Sequence, residues 1–440
     1  MHSDKVSVFW FRRDLRLDDN TGFLAALQAG LPVLPIFIFD KDIVDVLPQD
    51  DARITFIFEE LQRMRSTLQT EHDSSIALYY GKPEVIFSEL LELFDIDAVY
   101  TNRDYEVYGQ ERDTRISDLL ATKKIGFKTY KDQVIFEKDE VVKNDGGPYV
   151  VYTPFKNKWL EKLKDEVGDT QNLTMHYTAQ YLNNCIKNTK LPQLTLNDMG
   201  FEKAAVTVPE YIVTPTLIGD YEKTRNYPAI PGTSKLGTYL RFGVVSVRKM
   251  VKKADLAEEK TFLSELIWRE FFMQILYHFP HTANQSFRSK YDRIKWINDE
   301  ADFEKWKTGT TGYKLVDAGM RELNATGYMH NRVRMLVASF LCKHLLIDWR
   351  WGERYFAEKL LDYELASNVG NWQWAAGSGV DAAPYFRIFN PITQKDKFDK
   401  ERGYINKWVP EHNTTKYPEM MVDHSAARER CLKVYKEAVQ

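Results

Sequence analysis

The sequence predicts two domains: a Rossmann-like α/β domain with a parallel sheet at the amino terminus and a large all-α domain at the carboxyl terminus. A chain of 440 residues that is 44% hydrophobic exceeds what one core usually holds. Short apolar runs alternate with amphipathic stretches over the first 131 residues, whereas apolar residues recur at helical spacing over most of 208–440. We therefore divide the chain into an α/β domain at 1–131, a connector at 132–207 and a helical domain at 208–440.

Each element of this prediction has its own signal in the sequence. Runs rich in β-branched and aromatic residues predict five strands, at 7–11, 34–39, 76–80, 98–102 and 127–131. Helical periodicity between these runs predicts right-handed βαβ units, which place any ligand at the carboxyl ends of the strands. No GxGxxG or GxxxxGK motif is present, so ordinary dinucleotide or P-loop binding is not supported. The clearest later helices are predicted at 155–167, 261–279 and 327–346.

Composition argues against several classes of protein. Cys185, Cys342 and Cys431 are widely scattered without CxxC spacing, which argues against a disulfide framework or a zinc site and fits a reducing cytoplasm. The nine histidines show no metal-ligand spacing, so we expect no metal site. The apolar stretch 6–11 runs directly into Arg12 and Arg13, and no later run approaches the roughly 18 residues of a membrane span. We expect a cytoplasmic protein without a membrane partner.

The net charge of −3 conceals an uneven distribution along the chain. Residues 221–355 contain 23 Lys and Arg against 15 Asp and Glu, so this stretch is cationic within an otherwise acidic protein. A local surplus of this kind permits a polyanionic partner, although a Lys-rich helical surface gives the same count without any partner.

Two predicted helices carry polar groups on faces that also carry large apolar side chains. In 261–279, Glu265, Trp268, Arg269 and Phe272 share one face, which indicates either a structural ion pair or a ligand pocket, because unpaired buried charges are costly. In 327–346 a second such stripe, with a neighbouring arginine rotated away from it, favours a pocket for a flat, partly polar ligand over a dry core. The stripe consists of Asn331, Arg334 and Met335, and the rotated residue is Arg332.

Two further segments suggest ligand contacts. The stretch 360–391 is rich in glycine and small residues, which permit close approach of a ligand to the backbone. Trp372 and Trp374 lie two positions apart, about 200° around a helix, so we expect that they cannot both line one pocket. The string GTSKL at 232–236 offers hydroxyl and backbone N–H groups of the kind that hold phosphate.

Several long strings, taken together, resemble one family. They are WFRRDLRLDDN (10–20), GTSKL (232–236), ELIWREFF (265–272), TGYMHNRVRM (326–335), LLIDWRWGERYF (345–356) and NWQWAAGSGVDAAPYFRIFNP (371–391). In this order, over about residues 5–435, they resemble photolyase/cryptochrome flavoproteins, and most closely the class I cyclobutane pyrimidine dimer photolyases. The resemblance implies an antenna domain at 1–131, a helical FAD- and DNA-binding domain and a light-driven carbon–carbon lyase that repairs DNA.

The resemblance also implies a role for individual residues. FAD would be surrounded by Tyr221, Thr233, Ser234, Lys235, Leu236, Gly237, Phe262, Arg269, Arg334, Asp362, Tyr363, Glu364 and Asn368. Arg334 and Asp362 would pair beside the isoalloxazine, and Asn368 would face its N5. Trp268 and Trp374 would wall the flipped-out dimer, Glu265 and Asn331 would hydrogen-bond its base edges, and Met335 would lie in the same pocket. Arg225, Arg332 and Gln394 would lie near the DNA backbone, and Trp372, Trp349 and Trp296 would relay electrons to the flavin.

Particular positions favour one branch of the family. Photolyases of the (6-4) type carry histidine where this chain has Asn331 and Met335, and Asn368 resembles photolyases more than cryptochromes. The alternatives are a cryptochrome-type blue-light photoreceptor, which would share the cofactor and the relay, and a DNA-binding module without enzymatic activity. We expect a monomer whose partner is duplex DNA containing cyclobutane pyrimidine dimers.

Two positions depart from the family pattern. Glu364 replaces the Asp of a common Asp-x-Asp motif, which leaves the contact at 364 open. At the antenna site, Tyr108 and Gly109 replace the Asn-Glu pair of folate-binding relatives, while Arg53 and Asp104 resemble deazaflavin-binding relatives. A second chromophore, deazaflavin or folate, is therefore expected with folate disfavoured, and an empty site remains an alternative.

Overall fold

The computed structural model describes residues 5–440 and divides into two compact units. Unit 1 contains residues up to Glu140 together with Glu161–Glu210 and Leu236–Leu256, and unit 2 contains Val141–Leu160, Tyr211–Lys235 and Ala257–Gln440. This division differs from the three consecutive parts expected from the sequence. Periodicity marks where elements begin and end, but it does not show which separated segments share a core.

Unit 1 is built around a five-stranded parallel sheet. Its strands are β1 (Val6–Phe11), β2 (Val33–Asp40), β3 (Ala77–Gly81), β4 (Ile96–Asn102) and β5 (Gly126–Tyr130), in the order β3-β2-β1-β4-β5. All five predicted strands are confirmed within two residues at each end. Every residue of the central β1 is buried, with Phe9 and Phe11 in one core and Val8 and Trp10 in the other. Both faces of the sheet are therefore covered, as parallel sheets require.

Helices cover the sheet of unit 1 and connect its strands. They are α1 (Thr21–Leu27), α2 (Lys41–Val44), α3 (Ala52–His72), α4 (Pro83–Leu93) and α5 (Val107–Ala121), followed by α6 (Tyr152–Val167), which runs from unit 2 into unit 1. Two helices from the later segment, α9 (Gly237–Arg241) and α10 (Val247–Asp255), also belong to unit 1.

The order of the strands reverses between β1 and β4, where α/β proteins commonly bind ligands. Here the polar groups at the carboxyl ends of β1 and β4 form hydrogen bonds with one another and with nearby side chains. Arg12 donates to the carbonyl of Asn102 and to Asp113, and the Nδ2 group of Asn102 donates to the buried carboxylate of Asp14 at 2.6 Å. The polar groups at this point satisfy one another, which agrees with the lack of a dinucleotide motif.

Unit 2 is helical. Its helices are α7 (Pro215–Gly219), α8 (Tyr221–Thr224), α11 (Thr261–His278), α12 (Glu300–Thr308), α13 (Lys314–Thr326), α14 (Asn331–Ser339), α15 (Trp349–Lys359), α16 (Leu365–Ala376), α17 (Pro391–Phe398), α18 (Gly403–Trp408) and α19 (His424–Val439). The predicted helix 327–346 is divided, because α14 begins at Asn331 and Phe340–His344 is π-helical. The principal core of this unit contains Trp306, Trp349 and Trp372, all nearly inaccessible to solvent.

Among residues 5–440, no helix combines the length and the apolar character that crossing a membrane requires.

Candidate active site

A cleft in unit 2 lies between α14, the segment that joins α15 to α16, and α16 itself. It encloses about 600 Å³, partly open to solvent. The predicted site residues that line it are Asn331, Arg334, Met335, Asp362, Tyr363, Glu364, Asn368, Trp372 and Trp374. The predicted stripe on α14 thus lines one wall of the cleft, and the glycine-rich segment 360–391 contributes other lining residues.

Arg334 and Asp362 form a bidentate ion pair at this cleft. The two terminal guanidinium nitrogens lie 3.1 and 2.9 Å from the two carboxylate oxygens, and Nε donates to the carbonyl of Met329 at 2.7 Å. Burial alone would lower the pKa of Arg334, but the charge of Asp362 outweighs it and the pKa is raised. The pair therefore presents a fixed charge and hydrogen-bonding groups to the cleft.

Asn368 is held in one orientation by the preceding helix. Its Nδ2 group donates to Oε1 of Glu353 at 2.9 Å and to the carbonyl of Glu353 at 3.1 Å. The amide oxygen is consequently left to accept a hydrogen bond from a ligand. Burial raises the pKa of Glu353. Glu353 was not expected from the sequence, because it lies on α15, fifteen residues from the asparagine it positions.

Glu364 lies at the amino-terminal cap of α16. Its Oε1 lies 3.6 Å from the Arg269 guanidinium, and its Oε2 accepts from the hydroxyl of Ser367 at 3.1 Å. The glutamate at 364, which is longer than the aspartate of the common motif, thus links α11 to α16 through its ion pair with Arg269. The same two helices pack where Phe272 lies against Gly370, since a Cβ atom at 370 would approach the Phe272 ring to 2.2 Å.

The segment Thr233 to Lys235 lies beside Tyr328. The Thr233 hydroxyl is 3.3 Å from the Tyr328 hydroxyl, and Nζ of Lys235 lies 3.2 Å from the centre of the tyrosine ring. Burial lowers the pKa of Lys235 to about 8. The neighbouring predicted residues Leu236 and Gly237 belong to unit 1, at the start of α9.

Glu265 and Trp268 form a second group, which does not line the cleft. Arg225 donates to Glu265 at 2.5 Å, and burial raises the pKa of Glu265 although this pairing lowers it. Tyr152 stacks on Trp268 with ring centres 3.6 Å apart and planes 9° apart, and its hydroxyl donates to the Ser264 carbonyl at 2.7 Å. Two other predicted residues, Tyr221 and Phe262, pack edge to face 5.2 Å apart.

Tyr152 lies in the predicted connector and is not among the site residues that the sequence predicts. A signal was present in the sequence, since Tyr149, Tyr152 and Phe155 repeat at three-residue spacing, which indicates an apolar helical face. Tyr152 and Phe155 are buried at the start of α6.

The prediction that Trp372 and Trp374 cannot both line one pocket is wrong. Both border the cleft, because the cleft follows a broad face of α16 that runs from Ser367 and Trp374 round to Asn368 and Trp372. They differ in burial, since Trp372 is 2% exposed and packs against Phe356 with ring centres 5.0 Å apart, whereas Trp374 is half-buried.

Arg332 points away from the cleft stripe, as predicted. Its guanidinium donates to Asn226 at 2.5 Å and lies 4.4 Å from the ring centre of Phe398. Phe398 ends α17, the helix that carries Gln394.

The three relay candidates differ in exposure. Trp372 and Trp349 are buried, and the indole nitrogen of each has no hydrogen-bond partner among residues 5–440. Trp296 is half-buried and packs edge to face against Tyr435, with ring centres 6.0 Å apart. The three candidates therefore range from the buried, cleft-lining Trp372 through the buried Trp349 to the partly exposed Trp296.

In unit 1, three of the residues at the expected antenna site are each paired with a neighbouring side chain. Arg53 pairs with Asp51 at 2.5 Å, Asp104 lies 3.4 Å from Arg13, and the Tyr108 hydroxyl donates to Asp40 at 2.6 Å. A Cβ atom at Gly109 would approach Asp104 to 2.6 Å, so the glutamate of folate-binding relatives does not fit here with Asp104 in place. This geometry supports the prediction against folate.

Comparison with known proteins places this architecture and cleft among flavin-dependent DNA repair proteins. The family model described as the FAD binding domain of DNA photolyase matches residues 262–416, and the DNA photolyase model matches residues 7–173. The chain belongs to the DNA photolyase family. The cleft residues lie within the matched FAD-binding domain.

Individual relatives match over nearly the whole chain. The deoxyribodipyrimidine photo-lyase of Alkalihalophilus pseudofirmus is 35% identical, covering 99% of this chain and 98% of the relative, and that of Escherichia coli is 34% identical, covering 98% of both. A class III photolyase from Agrobacterium tumefaciens superposes with a TM-score of 0.87 at 32% identity, covering 100% of this chain and 98% of the other. An archaeal photolyase from Sulfolobus tokodaii with two FAD molecules superposes with a TM-score of 0.82 at 32% identity, covering 99% and 100%.

Proposed function

We propose that this protein repairs cyclobutane pyrimidine dimers in DNA in a light-driven reaction that uses bound FAD. One observation carries the proposal: a single cleft is lined by Arg334, Asp362 and Asn368, which suit a flavin, and by Asn331, Met335 and Trp374, which suit an extruded pyrimidine pair. A photoreceptor or a simple DNA-binding module has no need of both sets in one place.

The residues of unit 2 fit FAD chemically. The Arg334–Asp362 pair offers both hydrogen-bond donors and acceptors to a flat heterocycle, and the free amide oxygen of Asn368 accepts from a ring N–H. Lys235, Arg269 and the hydroxyls of Thr233 and Ser234 suit the phosphates. FAD held by these residues, when reduced, would supply the light-excited electron that opens the ring of the dimer.

Other residues are assigned to the substrate. Trp374 walls the extruded dimer and Asn331 hydrogen-bonds its base edges from the cleft, and we assign the same two roles to Trp268 and Glu265, which lie outside the cleft lining. Stacking of about 1–3 kcal/mol per base offsets part of the cost of extrusion, which is lower at a damaged step. Arg225, Arg332 and Gln394 contact the DNA backbone, so affinity should fall as salt rises. We further propose that the protein acts as a cytoplasmic monomer, and the three buried, free cysteines support a reducing compartment.

The direct test illuminates the reduced protein with an oligonucleotide that contains a thymine dimer. We expect blue light to restore the two thymines, with no change in the dark. The controls are the same oligonucleotide without the dimer and the Asn331→Ala variant, which should bind flavin normally and repair poorly. If the protein binds reduced flavin and still leaves the dimers intact, the proposal fails and the photoreceptor alternative is favoured.

Acidification should reduce repair through Glu265. Because burial raises the pKa of this carboxyl, protonation occurs at a higher pH than for an ordinary glutamate, and it removes the negative charge that strengthens the hydrogen bonds from Arg225 and from the substrate. We expect the repair rate at saturating light to fall as pH decreases, whereas Glu265→Gln should have a lower rate without that acidic limb. An unchanged acidic limb in Glu265→Gln would assign the titration to another group.

A further inference from the structure

A second, larger groove lies in unit 2, apart from the cleft. It runs between the amino-terminal end of α13, one face of α17 and the segment 417–420, and it encloses about 1020 Å³ open to solvent. We call it the lysine groove, defined by Lys314, Pro391, Ile392, Lys395, Tyr417 and Met420. None of these residues lines the active-site cleft.

The lysine groove brings cations together with few anions to balance them. Lys314 donates to the side-chain oxygen of Asn413 at 3.1 Å, and no carboxylate within residues 5–440 lies within ion-pair distance of it. Lys395 pairs with Asp396 at 3.4 Å, but Asp396 also binds Arg402 at 3.2 Å. Burial lowers the pKa of Lys314, and the charges of Lys395 and Arg402 lower it further. Glu419 is the one carboxylate in the groove lining. Convergence of like charges on a groove indicates an anionic ligand.

The groove lies at a distance from the cleft that a DNA duplex can span. Lys314 begins α13, a helix of 13 residues whose other end leads into Asn331 of the cleft, so the groove lies roughly 20 Å from the cleft at 1.5 Å per residue. Between them, α17 carries Gln394 next to Lys395, and Arg332 lies over Phe398 at the end of the same helix. A duplex rises about 3.4 Å along its axis per base pair, so roughly 20 Å along that axis spans about six base pairs.

We propose that the lysine groove binds phosphates of the duplex arm about six base pairs from the lesion. This inference rests on the proposed function, since it adds a second anchoring point for the same DNA. Lys314 and Lys395 act as point charges on the backbone and carry no sequence information. The groove therefore contributes affinity for long duplexes and leaves the photochemistry at the cleft unchanged.

The test compares DNA substrates of two lengths. We would measure the affinity of Lys314→Gln/Lys395→Gln for a dimer-containing duplex of about 20 base pairs and for a dimer-containing pentanucleotide too short to reach the groove. Glutamine removes the charge, stays polar and keeps the first two methylenes of the lysine stem, so that part of its packing is retained. The matched control is Lys433→Gln/Lys436→Gln, which removes two exposed lysines from α19.

We expect the groove variant to bind the long duplex about tenfold more weakly, with a shallower salt dependence corresponding to about two fewer phosphate contacts. Pentanucleotide affinity, flavin content and light-driven repair of the pentanucleotide should match the wild type. Equal affinity of wild type and groove variant for the long duplex would overturn the inference. So would equal losses on both substrates, or a loss of the same size in the α19 control, which would indicate a general charge effect or a protein-binding surface. If the wild-type protein repairs neither substrate, the proposed function itself fails.

Discussion

Replacing Arg334 with methionine should remove flavin from the protein. The substitution preserves an unbranched apolar side chain but deletes the partner of Asp362 and the donor to the Met329 carbonyl. Breaking this partly buried ion pair from one side leaves the remaining charge without compensation, at a cost below the about 3–5 kcal/mol of a fully buried pair. Asp362 would then face the isoalloxazine position as an unpaired anion. We expect FAD affinity to fall at least about 100-fold, which equals roughly 2.7 kcal/mol, and the purified variant to be nearly colourless.

Arg321→Met is the matched control for this prediction. Arg321 also pairs with a carboxylate, Glu411 at 2.6 Å, and its Nε also donates to a backbone carbonyl, that of Gly309 at 3.0 Å. The two side chains have similar exposure, 24% for Arg321 and 23% for Arg334. The control pair does not line the cleft, so its loss should reduce thermal stability while flavin content remains normal. Normal flavin affinity in a folded Arg334→Met protein would exclude the proposed role of the pair.

The sequence predicted most of the fold because its signals are local. The runs around β1 and β2 are short, β-branched and aromatic, and parallel strands buried on both faces read as continuous apolar runs. Asn331, Arg334 and Met335 were correctly placed on one face because helical spacing alone determines which residues share a face. Assignment of that face to flavin and to DNA required the resemblance to a known family.

The site contacts that the sequence does not predict join segments that are distant along the chain. Tyr152 stacks on Trp268 across more than one hundred residues, and Glu353 positions Asn368 from a different helix. No periodicity within one element encodes such pairs. The error about Trp372 and Trp374 had a different cause, because the angle between them was correct but the width of the helical face that borders the cleft was not predictable.

Replacing Trp349 with phenylalanine should abolish light-driven reduction of the oxidised flavin and leave repair by pre-reduced enzyme intact. Trp349 is 1% exposed and its indole N–H has no partner among residues 5–440, so phenylalanine forfeits no hydrogen bond. The replacement is smaller, and we expect a stability loss of about 1–2 kcal/mol from incomplete packing. The functional consequence is much larger, because the benzene ring of phenylalanine is far harder to oxidise than indole. Once Trp372 had given an electron to the flavin, Trp296 could not replace that electron, because phenylalanine at position 349 would not pass it on.

Two measurements separate this relay role from a packing role. Photoreduction of oxidised flavin under blue light with an external electron donor should be lost in Trp349→Phe, whereas chemically reduced variant should restore thymines at the wild-type rate. Trp408→Phe is the control, because Trp408 also buries an indole N–H that has no partner in residues 5–440 and lies outside the proposed series. A packing defect would impair both activities in parallel and would be shared by the control. Unimpaired photoreduction in Trp349→Phe would show that electrons reach the flavin by another route, and the assignment of Trp372, Trp349 and Trp296 would have to be abandoned.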